Sequence, residues 1–289
     1  MAEILGGIFA SHVPAIGNAI ARGLQEDPYW KPFFDGFKPI REWLERVRPD
    51  TVVAFYNDHG LNFFLDKMPT FAVGAAATYQ NSDEGWGLPV ARPVSGDAGL
   101  SWHVIESLIA DEFDVTTCQE MLVDHALFVP LQLCWPDAAS WSFRLVPIAI
   151  NTVQHPLPSP KRCLALGQAV GRALARYDKD ARIVVMGTGG LSHQLDGERA
   201  GFINKDYDRF CLENLCPKPE LLAQHSSLEI VELSGSQGIE VLNWIAARGA
   251  LGSAGNLEEV ARNYHIPISN TAAASVLISD KAHAKRELA

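Results

Sequence analysis

Short apolar runs alternating with longer amphipathic stretches constrain this chain more than any other feature. Ile4–Phe9, Thr51–Tyr56, Phe143–Ile150 and Arg182–Met186 are apolar on consecutive positions and rich in β-branched or aromatic side chains. Such runs read as strands buried on both faces. Ile40–Val47, Leu100–Ala110, Lys161–Tyr177 and Gly238–Arg248 place apolar residues near every third or fourth position, as a helix with one buried stripe does. Strands separated by helices predict an α/β fold: a central, mostly parallel sheet flanked by helices. In such sheets ligands bind beyond the carboxyl ends of the strands. The loops Gly85–Pro93 and Val153–Pro160 are rich in Gly and Pro, but neither is long enough to be a linker, and no repeat is present. The expectation is one domain over residues 1–280, with 281–289 as a tail.

The polar residues are informative by where they fall. His12 directly follows the first expected strand, His59 the second, and His193 the fourth. If those strands are parallel neighbours, three imidazoles converge on one crevice. The alternative is that each is a loop histidine bonded to nearby backbone, and spacing does not choose between the two. Gly187–Gly190 invites a nucleotide reading, but Ser192 stands where the third glycine of GxGxxG belongs and no acid follows at the ribose interval. A tight turn that lets the backbone approach a ligand is the better account. Ser192 beside His193 lacks the GxSxG elbow of a serine hydrolase. Glu240 lies after Ser234 and Gln237, which fit an S-x-x-Q capping box that would start a helix there. On residues alone, Glu240 reads first as a carboxylate near the positive end of that helix, and second as an inward-facing metal ligand.

Composition narrows the class. The chain has 289 residues, 47% of them hydrophobic, enough for a large core. A formal net charge of −10 argues against nucleic acid, which requires clustered cations to displace counterions. The basic stretch Lys281–Arg286 reads as a solvated tail. The five cysteines, Cys118, Cys134, Cys163, Cys211 and Cys216, are odd in number and lack CxxC spacing, as expected of free thiols in a cytoplasmic protein. The N-terminus carries Glu3 where a signal peptide requires a base, and its apolar run is too short to cross a membrane.

Several strings together carry a stronger signal. They are Ser11-His12-Val-Pro14-Ala15, Tyr56-Asn-Asp-His59, Asp83-Glu-Gly-Trp-Gly87, Asp124-His125, Gly187-Thr-Gly-Gly190, Ser192-His-Gln194, Arg199-Ala-Gly201, Asn204-Lys205, Gly235-Ser-Gln-Gly-Ile-Glu240, Tyr264-His-Ile-Pro267 and Ser269-Asn-Thr271. In these strings, spread over nearly its whole length, the chain resembles the class III extradiol dioxygenases, in particular the catalytic β subunits of the protocatechuate 4,5-dioxygenases. The resemblance implies Fe(II) held by His12, His59 and Glu240. It implies His193 as the acid/base and His125 as a second pocket histidine. It also implies that Ser269 and Asn270 receive the substrate carboxylate. Two imidazoles and one carboxylate leave open positions on Fe(II) for a chelating catechol and for O₂.

The activity so implied is opening of protocatechuate at its 4,5 bond to 4-carboxy-2-hydroxymuconate 6-semialdehyde, in aromatic catabolism. Gallate or another 3-substituted catechol is the alternative substrate. A zinc-binding relative or a non-catalytic binding protein are the rival classes. The resemblance further implies a separate small α subunit that closes the pocket, in an α₂β₂ assembly, because the sequence has no C-terminal extension to supply that part.

Overall fold

The computed structural model describes residues 1–85, 87–88, 92–136 and 141–281. The strands of its main sheet are β1 (Ala2–Ala10), β2 (Thr51–Tyr56), β3 (Phe71–Gly74), β4 (Thr116–Cys118), β5 (Arg144–Ile150), β6 (Ala181–Thr188), β7 (Leu257–Ile268) and β8 (Thr271–Asp280). Their spatial order is β7-β8-β1-β6-β2-β5-β3-β4. The four expected strands form the parallel centre, β1-β6-β2-β5. Antiparallel pairing of β3 with β5, and of the β7–β8 hairpin with β1, makes the whole sheet mixed. The longer helices are α1 (Pro14–Ala21), α2 (Lys38–Val47), α3 (Ala98–Ala110), α4 (His125–Cys134), α5 (Pro160–Ala175), α6 (Lys205–Leu215), α7 (Ser227–Ser234) and α8 (Val241–Ala250). Among the described residues no helix is long and apolar enough to cross a membrane. The loop expected at Gly85–Pro93 lies partly, and the tail beyond Lys281 wholly, outside the described residues.

Both faces of the central strands are buried, and the chain alternates between them. Along β2, Val53 and Phe55 point one way and Val52, Ala54 and Tyr56 the other, as the pleat requires. The first set shares a core with Val104 of α3, Val170 of α5 and Trp244 of α8. The second shares one with Ile16 of α1, Trp43 of α2 and Leu127 of α4. Each such side chain contributes ~1.5–3 kcal/mol by leaving water. That term outweighs local propensity in β8, whose Ala272-Ala-Ala274 run favours a helix in isolation. Here it is buried between β7 and β1 as a strand.

One helix start differs from the sequence reading. Ser234 does not open a helix; it closes α7, its Oγ donating to the Ile230 carbonyl at 2.7 Å. The capping box lies eight residues earlier in the same motif form, Ser226 with Glu229, and both of its bonds are made. Gly235 then turns the chain at φ +94°. Gln237 accepts from Leu195 N and Ser236 Oγ and caps nothing. A 3₁₀ turn, Gly238–Glu240, leads into α8. The S-x-x-E/Q pattern occurs twice, eight residues apart, and the first copy is the one that caps a helix, while Gly235 after the second is packed against the His193 carbonyl.

Helix α8, which directly follows Glu240, is pressed against α5 through glycines. A Cβ on Gly167 would stand 1.8 Å from the Ala246 carbonyl oxygen, and one on Gly171 2.6 Å from that of Ala250. Backbone cannot yield as a side-chain tip does. We therefore expect Gly167→Ala to lower unfolding free energy by about 1–3 kcal/mol, the usual cost of forcing extra volume into a packed interior. Urea denaturation would measure it, and an unchanged midpoint would contradict this packing.

Candidate active site

The parallel neighbours β1, β6 and β2 end almost level, with Ala10 paired to Thr188 and Gly187 to Phe55. Each chain then turns out of the sheet and delivers a histidine: His12, His193 and His59. The crevice foreseen from strand order therefore exists. His12 and His59 meet edge to face, their ring centroids 5.3 Å apart. The Glu240 carboxylate lies against both, with Oε2 3.3 Å from His12 Nε2 and Oε1 3.4 Å from His59 Nε2.

This arrangement fits a divalent cation. The ring nitrogens of His12 are buried and make no well-formed hydrogen bond, Nε2 having only the Glu240 carboxylate beside it, which is rare for buried polar atoms and requires an explanation. Neighbouring donors that share one cation at ~2.0–2.2 Å stand roughly 3 Å apart. The separations of 3.3 and 3.4 Å match that spacing. His125, the first residue of α4, stands beside the same centre, its ring 5.5 Å from that of His12 and 4.2 Å from that of His59. Nitrogens of His12, His59 and His125 all lie within 4.8 Å of one another, so His125 is a rival third ligand to Glu240. The anionic Glu240 offsets cation charge and bridges the two other ligands, whereas one nitrogen of His125 is already engaged by Glu84.

The surrounding residues orient these groups. Asp124 Oδ2 accepts from the backbone N of His59 at 2.8 Å and from its Nδ1 at 2.9 Å. A carboxylate only accepts, so the Nδ1 proton is set and Nε2 faces the centre. The other Asp124 oxygen accepts from Ala126 N as the N-cap of α4. Asn57 Nδ2 donates to Glu240 Oε1 at 3.3 Å. Its amide is oriented by Asn243, whose Nδ2 donates to Asn57 Oδ1 at 2.9 Å and to the Thr188 carbonyl at 3.0 Å. Gly189, at φ +101°, has no side chain because a Cβ would stand 2.6 Å from that of Glu240. The glycine turn read from Gly187–Gly190 therefore brings backbone up to a carboxylate rather than to a nucleotide.

His193 is held by its backbone. Its N donates to the Ser234 carbonyl at 2.7 Å, and its carbonyl accepts from Gln237 N and Gly238 N. Ser192 beside it is anchored, through both N and Oγ, on buried Asp208. Ser269 is the first residue of the two-residue turn joining β7 and β8, at φ +57°. With His12, His59, His125, His193 and Glu240 it lines a cavity of ≈ 250 Å³. That is near the lower end of small-molecule sites, ~300–1,000 Å³, and suits a single ring. Asn270 lies in the same turn but beside Gly201, where a Cβ would be 3.7 Å from its Oδ1. A larger groove of ≈ 930 Å³ at Arg41, Arg48 and Trp135 contains none of these groups.

Electrostatics sorts the roles. Burial opposes charge on Glu240, but His12 and His59 outweigh it and hold the carboxyl well below its usual range. Burial also works against His59, yet Asp124 and Glu240 raise it well above the ordinary histidine value. His12 is lowered by burial, which Glu240 only partly offsets. Burial lowers His193 too; Glu240 opposes this, and His12 and His59 add to it. His193 is thus neutral at neutral pH and free to take a proton.

Comparison with known proteins accords with this geometry. Residues 6–274 match the family described as the catalytic LigB subunit of aromatic ring-opening dioxygenase. The chain belongs to this family. It is 37% identical to gallate dioxygenase of Pseudomonas putida over 200 residues, covering 69% of this chain and 58% of that protein. It is 30% identical over 292 residues to a 2,3-dihydroxyphenylpropionate/2,3-dihydroxicinnamic acid 1,2-dioxygenase of Rhodococcus jostii, covering 85% of this chain and 88% of that one. Neither is named for protocatechuate. The crystal structure of an uncharacterised Escherichia coli K12 protein shares the fold, with TM-score 0.59 and 16% identity over 94% of this chain and 99% of that one.

Sequence reasoning named no role for Asp124, Glu84, Asn57 or Asn243. Three of them stood inside the strings that carry the resemblance, Asp124 next to His125 and Asn57 two residues from His59, while Glu84 is far from any histidine in sequence; Asn243 had no such signal. Asp124 yields a test. Burial alone would raise its pKa, but His59 above all lowers it to about 2. The stability supplied by its charged form is complete above the unfolded value of ~4 and lost as pH falls toward 2. We expect Asp124→Asn to flatten this acid limb in denaturant titrations of the metal-free protein. It should also weaken divalent-cation binding about 10–100-fold.

Proposed function

We propose that the protein is an extradiol dioxygenase that opens the ring of a catecholic acid, with Fe(II) held by His12, His59 and Glu240. Its proposed substrate is protocatechuate, opened at the 4,5 bond to 4-carboxy-2-hydroxymuconate 6-semialdehyde. The observation that carries this reading is the Glu240 carboxylate facing Nε2 of two histidines, buried His12 and the more open His59, on the wall of a ring-sized cavity. Fe(II) there would hold the two catechol oxygens and supply electrons to O₂, which redox-inert zinc cannot do.

The chain's own residues do the rest. Asp124 and Asn57 keep His59 and Glu240 aimed at the centre. His193, neutral because it is buried, takes a proton from a substrate hydroxyl and returns it when the ring opens. His125, beside His12 and His59 on the cavity wall, meets the substrate as well. Ser269 and Asn270 receive the carboxylate. Supporting Ser269 are its place on the cavity wall and its positive φ, a conformation costly for a residue with a Cβ and sustained by the surrounding structure; Asn270 is its partner in the same turn.

Gallate is the second reading, and the 37% identity to a gallate dioxygenase favours it. The same site serves both acids, which differ by one hydroxyl. We further propose a small α subunit completing the pocket in an α₂β₂ assembly, and a cytoplasmic location, which the five free cysteines fit.

The deciding measurement is O₂ uptake by Fe(II)-loaded protein with protocatechuate and, separately, gallate. A coloured ring-fission product and loss of uptake on chelation are expected. No uptake with either acid, in the presence of bound Fe(II), would sink the proposal. His193→Ala should retain metal but lose turnover by ~10²–10⁴-fold; unchanged turnover would remove His193 from proton handling.

A further inference from the structure

We propose that Glu84 is a positioning residue of this site, which fixes the tautomer of His125 so that the ring shows the cavity a hydrogen-bond acceptor. The inference rests on the catechol-binding reading of the cavity. Glu84 belongs to Asp83-Glu-Gly-Trp-Gly87, a string to which neither the metal nor the substrate assigns a task. It reaches across 41 positions of sequence and clamps His125 twice. Oε1 accepts from the backbone N at 2.8 Å, and Oε2 lies 2.5 Å from Nδ1. Both side chains are buried, 6% exposed for Glu84 and 3% for His125. A turn with Gly85 at φ +77°, whose N donates to Asp83 Oδ1, sets the glutamate's approach.

An ionised carboxylate has no proton to donate. Nδ1 must therefore carry a hydrogen, and in the neutral ring Nε2 remains as a lone pair for the cavity that His125 lines. An unconstrained neutral imidazole places its proton mainly on Nε2. Without Glu84 the same ring would present a donor. A catechol hydroxyl is itself a donor, so the two states differ in whether the substrate is accepted or opposed. Asp124 applies the same device to His59, one ring away. The two imidazoles lie tilted against each other, centroids 4.2 Å apart and planes at 31°. One carboxylate thus serves the metal side of the site, and the second serves the substrate side.

The test uses protein with ¹⁵N-labelled histidine, loaded with Zn(II) as a redox-inert stand-in. Long-range ¹H–¹⁵N spectra report the tautomer of each ring, and His125 is assigned by the signal lost in His125→Gln. The wild-type ring is expected to be protonated on Nδ1, and Glu84→Ala to move that proton to Nε2. Glu84→Gln retains an acceptor oxygen and should restore Nδ1–H in part. With Fe(II) and a catecholic acid, Glu84→Ala should lower kcat/KM by about 10–100-fold without loss of bound metal. Nε2–H in the wild type overturns the proposal. So does Nδ1–H persisting in Glu84→Ala, which would mean that a bound cation or another group sets the tautomer. The tautomer readout is independent of turnover, so wild-type protein that lacks ring cleavage would overturn the catalytic reading by itself.

Discussion

A carboxylate buried at the centre of the protein is the constraint around which the rest is arranged. Taking an ion out of water costs several kcal/mol even after relaxation, unless partners meet it. Glu240 is met on every side: His12 and His59 at its two oxygens, Asn57 at one and the Gly190 amide at the other. Those partners come from the ends of three strands, and each must arrive at the right depth. The level ends of β1, β6 and β2 secure this, and the missing side chain at Gly189 makes room. With a divalent cation added, the anion and the two imidazoles become a ligand set rather than a liability.

Rigidity behind the site follows from packing. Glu240 precedes α8, and α8 is locked to α5 by backbone contacts that only glycine permits. Asn243, one turn along α8, ties the helix to Asn57 after β2 and to Thr188 at the end of β6. The helix thereby transmits the position of the sheet to the carboxylate. Behind His59, Asp124 joins two tasks in one side chain, capping α4 with one oxygen and orienting His59 with the other. His125 follows it directly and enters the cavity from the same helix end. The cavity walls are thus set by packed elements, α4 among them capped by Asp124, as precise placement requires.

Much of this was legible in the sequence. The central strands announce themselves because a parallel strand buried on both faces has to be apolar at every position. The histidines were visible as strand-end residues, and the family strings assigned them tasks. The β7–β8 hairpin was not legible. Residues of β7 are mostly half-exposed or exposed and mix polar with apolar types, and β8 opens with Thr271 and three alanines, so neither shows the continuous branched run of the core strands. The capping motif misled for a local reason: two copies of one pattern lay eight residues apart, and each was acceptable chemically.

The sequence by itself determined the α/β class, the strand ends at which chemistry collects, and the residue types capable of holding a cation and moving a proton. These are properties of periodicity and of side-chain chemistry, which a linear string contains. Only the tertiary structure decided that Glu240 turns inward, that Asp124 and Glu84 each hold one histidine, and that Ser269 faces the cavity while Asn270 lies beside Gly201. Those outcomes depend on distances between residues dozens to hundreds of positions apart. No local preference encodes them: the burial of both sheet faces and the close approach of α5 to α8 fix where each strand end stops.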